Sequence, residues 1–184
     1  MGKVLKGVGS ILNSPDMAKY REIWELAKPY LAKSRWWDLM HTEMSVGFLH
    51  KILKEEGKDY LADVLVPAII LHDTGWSTIG EGKHVLWGGE EMRRRHMEAG
   101  AKIAEDILSQ VGYNPELTKR IVHLVSTHDS AYLGIEQKAE EERLVRDADA
   151  SFVLTSLSFW KDYHVNTVLK EKGEDLTPAE FLEG

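Results

Sequence analysis

Apolar residues recur every three to four positions along most of the chain. No stretch alternates apolar and polar residues with the period of two that a half-buried strand requires. The pattern therefore predicts helix after helix, an all-α protein. Ser14-Pro15 reads as a helix start, a capping residue followed by proline at the first helical position. Tyr20, Ile23, Trp24, Leu26, Ala27 and Leu31 then line one face of a helix running to about Ala32. A second helix is expected over about 36–56, stopping at Gly57, and a third over about 58–73, stopping at Gly75, because glycine takes the left-handed conformation that ends helices. Segment 74–89 contains Gly75, Gly80, Gly82, Gly88 and Gly89 and reads as a long loop, and loops of that length without structure of their own are usually functional or disordered. A fourth helix spans about 90–111, Asn114-Pro115 opens a fifth running to about Thr127, a sixth covers about 137–163, and Thr177-Pro178 starts a short terminal one. The expected architecture is a bundle of about six to seven helices. No internal repeat or low-complexity tract is visible, so residues 1–184 are expected to form one domain with its core at about 36–160.

Composition narrows what such a bundle can do. Lys and Arg number 23 against 30 Asp and Glu, a net charge of −7, and a chain this acidic repels nucleic-acid backbones. No apolar run approaches the roughly 20 residues needed to span a membrane, and the first ten residues mix Lys with Gly without an apolar signal core. A cytoplasmic protein that binds neither nucleic acid nor membrane is expected, and a homodimer is allowed. The chain has no Cys, which excludes thiolate nucleophiles, iron–sulfur clusters and Cys-ligated zinc, so a metal would have to be held by His, Asp or Glu. Eight His are present for that role.

On a helix, neighbours at i±3 and i±4 share a face, so each His or Asp can be sorted by its company. His41 keeps Trp37, Met44, Ser45 and Phe48, and points inward. His72 and Asp73 follow Ala68, Ile69 and Ile70; two adjacent residues diverge by about 100°, so both reach one site only where the helix ends. His96 has Ala99 and Gly100 beside it, a small-residue surface that admits another helix. His128 sits with Leu124 and Val125, whereas His123 sits among Lys119, Arg120, Ser126 and Thr127 and faces out. Of Asp147 and Asp149, which point about 200° apart, Asp149 has the more apolar company in Val145, Phe152 and Val153. A single inward His is more often a satisfied core residue than a ligand. Six inward groups are different: burying them uncompensated costs several kcal/mol per charged group, and a metal compensates them all. The set predicts a metal centre in the middle of the bundle, while His50, His123 and His164 are expected to play no part in it.

The order His41, His72-Asp73, Asp149 resembles the H…HD…D signature of the HD-domain metal-dependent phosphohydrolases, and LHDTG, HMEAGAKIAEDIL and LVRDADASF match its local contexts. With His96 and His128 added, the chain is similar to the subset that binds two metals, which includes HD-type diadenosine tetraphosphate hydrolases. The resemblance implies an all-α HD fold in which His41, His72, Asp73 and Asp149 ligate one ion and Asp73 bridges to a second held by His96 and His128. His72 and Asp73 become the catalytic pair. Two departures stand out: Trp76 occupies a place where many relatives have Lys, and Asp38 one where several have a basic residue.

Imidazole-rich ligation suits Fe, Mn, Co, Ni or Zn better than Mg, which prefers oxygen ligands, so one or two divalent transition-metal ions are expected. Hydrolysis of a phosphoester or phosphoanhydride bond through a metal-bound hydroxide follows, with a small phosphorylated metabolite or nucleotide as substrate. Lys83, His84 and Arg93 are expected near the substrate phosphate, Arg93 because it lies three residues before His96. Trp76 and Trp87 bracket the loop and are expected to stack on a nucleobase or form a lid. Two other classes fit the same residues: a diiron oxygenase on the HD fold, and a non-catalytic nucleotide sensor. The sensor has the weakness that every ligand position is filled.

Overall fold

The computed structural model describes Leu12 and residues 14–79, 89–165 and 177–178. Among these are seven α-helices and no strand, as the periodicity predicts. A 3-10 turn, Pro15–Tyr20, leads into α1 (Arg21–Lys33), and α2 (Asp38–Glu55) ends just before Gly57, whose φ of 66° is the left-handed stop expected there. α3 (Ala62–Leu71) is apolar on all sides, with Val64 to Leu71 entirely buried, and so becomes the central helix. Around it pack α1, α2, α5 (Pro115–Thr127) and α6 (Glu140–Ala150). α5 begins where the Asn114 side chain accepts the backbone N–H groups of Glu116 and Leu117, which would otherwise be unpaired in the first turn. No helix among the described residues is long and apolar enough to cross a membrane.

Two expected elements differ. The third helix stops at Leu71, not Asp73, and Gly75 does not end it: Thr74–Thr78 continues as a 3-10 helix lying against α4 (Glu90–Gln110). The long loop expected over 74–89 is therefore structured in its first part, and residues 80–88 lie outside the described residues. The sixth helix divides into α6, a 3-10 turn Ser151–Leu154 and α7 (Ser156–Tyr163). Thr155 causes the division: its backbone is extended and its hydroxyl accepts the Ser158 N–H, so a capping residue starts a new helix inside a continuous apolar pattern. The terminal helix expected at Thr177-Pro178 falls almost wholly outside the described residues.

Gly75 has a packing reason instead. A Cβ there would lie 1.9 Å from the His96 carbonyl oxygen and 2.5 Å from the Gly100 nitrogen. The Gly100 surface of α4 thus admits the backbone after α3, as its small residues suggest. Gly75→Ala is expected to cost about 3 kcal/mol through overpacking, lowering the Tm by roughly 6–12 °C. Gly47→Ala, where a Cβ in α2 meets nothing within 4 Å, should instead raise stability by about 0.5–1 kcal/mol. Thermal unfolding followed by circular dichroism separates the two, and equal midpoints would refute this reading of Gly75.

Candidate metal centre

His72 and His128 stand directly after the last turns of α3 and α5. Both keep helical backbone angles, and each ring bonds the carbonyl three residues back in its own helix: Nδ1 of His72 donates to the Ile69 carbonyl (2.7 Å) and Nδ1 of His128 to the Val125 carbonyl (2.8 Å). A carbonyl oxygen only accepts, so Nδ1 carries a hydrogen, and each Nε2 presents a lone pair once the ring is neutral. These Nε2 atoms meet those of His41 from α2 and His96 from α4, at 3.1 Å for His41–His72 and 3.2 Å for His96–His128. All four rings are buried.

Asp73 joins the two pairs. Its Oδ2 lies 3.3 Å from His72 Nε2 and 3.5 Å from His41 Nε2, while its Oδ1 lies 3.7 Å from His128 Nε2 and 3.9 Å from His96 Nε2. Asp149, from the end of α6, places Oδ1 2.8 Å from His41 Nε2 and 3.4 Å from His72 Nε2. The choice between the two aspartates of that helix is settled: the Asp149 side chain is 18% exposed and in the cluster, whereas Asp147 is 53% exposed and pairs with Arg146. His123 faces solvent against Glu142. The structure thus brings together His41, His72, Asp73, His96, His128 and Asp149 as two overlapping donor sets sharing one carboxylate. Imidazole Nε2 atoms and carboxylate oxygens converging this closely are a donor set that fits a divalent metal ion.

Charge within the cluster follows the same geometry. Burial opposes a charged His72, but Asp73 and Asp149 outweigh it and lift the ring well above the ordinary imidazole range; burial likewise yields to Asp73 and Asp129 at His128. His96 goes the other way, pushed down to about 2 by burial and by the charge of His128. Burial favours neutral Asp73 and Asp149, yet both carboxylates are held well below their usual range, Asp73 by His72 and Arg35 and Asp149 by hydrogen bonds from His41 and His72. Ionised carboxylates thus favour a proton on His72 and on His128, where a cation would replace it.

Residues 31–152 match the family model of the HD domain. The chain belongs to the HD-domain family. Members of this family are generally metal-dependent phosphohydrolases that bind divalent metals, and the His/Asp cluster is consistent with an HD metal site. No curated protein and no solved structure matches the chain.

His41, Asp73 and Asp149 of the HD cluster line a cavity of about 80 Å³. Three carboxylates line it, those of Asp73, Asp129 and Asp149, and three cations, those of Arg35, Arg93 and Lys161. Arg93 is where its spacing from His96 places it, with Nη1 2.6 Å from Asp129 Oδ2. Trp76 is not a substrate platform: it is buried, its ring stacks on His96 at 4.1 Å, and its Nε1 donates to Asp73 Oδ1 at 3.0 Å. The close approach at Gly75 turns it inward. Lys83, His84 and Trp87 lie outside the described residues. Sequence reasoning missed Arg35, Asp129 and Lys161. Arg35 donates from Nη2 to Asp73 (2.7 Å) and from Nε to buried Asp38 (2.8 Å), so the acidic residue at position 38 anchors a cation that reaches the centre from outside α2. Burial pushes Asp38 up to about 7 against the pull of Arg35. A signal for Asp129 was available, since His128-Asp129 is a second His-Asp doublet.

Proposed function

We propose that this protein is a metal-dependent phosphohydrolase acting on a phosphoester or phosphoanhydride bond of a small metabolite, with nucleotides as the leading class. One observation carries the reading: Asp73, the carboxylate shared by two donor sets, lines a cavity together with three cations. In this reading His41, His72, Asp73 and Asp149 hold one ion, and Asp73, His96 and His128 hold the other. Ions there supply Lewis acidity toward a phosphoryl oxygen and lower the pKa of a water to near neutrality.

The chain's own residues do the rest. Arg35 and Trp76 fix the Asp73 carboxylate from both of its oxygens, so it faces both donor sets without reorganising. Arg93 from α4 and Lys161 from α7 line the cavity and would neutralise phosphoryl oxygens not bound by the ions. Carboxylates and cations balance on the cavity wall, so two divalent ions tip it positive and favour an anionic substrate despite the net charge of −7.

The test is turnover. Purified protein loaded in turn with Mn, Fe, Co, Ni and Zn should release phosphate or nucleotide from members of a panel of nucleoside mono-, di- and triphosphates and dinucleoside polyphosphates. No release with any metal would overturn the reading. Oxygen uptake confined to the iron-loaded protein, without phosphate release, would replace it with oxygenase chemistry.

A further inference from the structure

The two halves of the centre are built on one plan. In the first, α2 carries His41 and α3 is followed by His72-Asp73; in the second, α4 carries His96 and α5 is followed by His128-Asp129. The imidazole bonds to the carbonyl three residues back and the Nε2 pairings at 3.1 and 3.2 Å repeat from half to half. The likeness extends to the aspartates. Asp73 has φ −95° and ψ 2° and opens the 3-10 helix Thr74–Thr78; Asp129 has φ −91° and ψ 7° and opens another, Ser130–Leu133. Each is bound by an arginine, Arg35 to Asp73 at 2.7 Å and Arg93 to Asp129 at 2.6 Å. Each arginine lies over the aromatic ring three residues beyond its aspartate, Trp76 at 4.4 Å and Tyr132 at 4.3 Å. The expectation of no internal repeat is corrected here at the level of the site. Spacing hid the repeat, since Arg35 precedes His41 by six residues and Arg93 precedes His96 by three.

We infer that Asp129 is a ligand of the second ion, the counterpart in its half of Asp73 in the first. The inference rests on the two-ion reading above. Donors on one ion with bonds of about 2.0–2.2 Å stand about 3 to 3.5 Å apart. Asp129 Oδ2 lies 3.5 Å from His96 Nε2, the same separation as Asp73 Oδ2 from His41 Nε2. Asp129 is 6% exposed and faces the cavity, so its carboxylate turns toward the centre and not toward bulk water. Its addition also evens the donor sets: the first has His41, His72, Asp73 and Asp149, the second only Asp73, His96 and His128 without it. Arg93 bonded to the same oxygen does not argue against ligation, because Arg35 holds Asp73 in the same way; such partners orient a ligating carboxylate.

Titration of metal-free protein with Zn(II), followed by isothermal calorimetry, tests this. Wild type should bind two ions, and Asp129→Asn should bind the first unchanged and the second at least tenfold more weakly. A second ion bound as tightly by Asp129→Asn as by wild type overturns the inference and leaves the two-ion reading intact. One ion on wild type overturns that reading, and the inference with it. The double variant Arg93→Gln/Asp129→Asn controls for the arginine charge set free: weak binding should persist, and restored affinity would mean that Asp129 only neutralises Arg93. With Co(II), the visible spectrum of the second equivalent should change in Asp129→Asn, and an unchanged spectrum would also overturn the assignment.

Discussion

Asp73→Asn is expected to abolish turnover and strip both ions from the protein while leaving the helical bundle folded. Asp73 is the one residue common to both donor sets, its two oxygens facing the His41–His72 pair and the His96–His128 pair respectively. An amide of the same shape still accepts from Trp76 but lacks the charge that balances two cations. Loss of metal-borne stabilisation worth several kcal/mol, at about 1.4 kcal/mol per factor of ten, predicts a fall in kcat/KM on the order of 1,000-fold or more. Asp147→Asn, on the exposed side of the same helix as Asp149, should change neither metal content nor rate. Elemental analysis and steady-state kinetics on the two variants, with circular dichroism to establish folding, decide the matter. An Asp73→Asn protein that retains both ions would be incompatible with the shared carboxylate.

The second large effect is in pH. His72 and His128 have raised values in the folded protein, so their contribution to stability is complete below the unfolded value of about 6.5 and is lost as pH rises through the folded ones. Asp73 and Asp149 have lowered values; they contribute above about 3.9, and that contribution is lost as pH falls. His96, pushed down to about 2, is kept neutral by the fold and costs stability as pH drops below about 6.5. Asp38, pushed up to about 7, is kept neutral by the fold and costs stability as pH rises above about 3.9, which opposes His96 over the same range. Stability of the metal-free protein should therefore be nearly level between about pH 4 and 6.5, falling below that window with the carboxylates and above it with His72 and His128. Metal binding must displace the protons on His72 and His128, so its strength rises with pH, by up to about 2.7 kcal/mol per unit if both leave. The increase in Tm on adding Mn(II) should therefore be markedly larger at pH 8 than at pH 6. Equal increases at the two pH values would mean that no ring proton is displaced.

Much of the centre was legible because helical geometry converts sequence neighbours into a shared face. His41, His96 and Asp149 were sorted correctly by the apolar company they keep, and His72-Asp73 by standing where a helix must end. Residues whose roles depend on elements distant in sequence were not legible. Arg35 reaches Asp73 across 38 positions and Lys161 lines the cavity from α7, beyond the matched family span. Neither has a periodicity to betray it. Trp76 was misplaced for a related reason: its position beside a glycine-rich segment suggested an exposed loop, whereas contact between Gly75 and α4 presses it onto His96. The division of the sixth helix at Thr155 has no periodic signal, because the apolar spacing continues across it and only the hydroxyl bond to Ser158 marks the new start.

Elemental analysis of the purified protein, combined with anomalous scattering from its crystals, counts the ions and locates them. Two transition-metal ions per chain are expected, giving two anomalous peaks, one beside His41, His72, Asp73 and Asp149 and the other beside Asp73, His96 and His128. A single peak in protein supplied with excess metal, or one outside these residues, would contradict the two-ion centre.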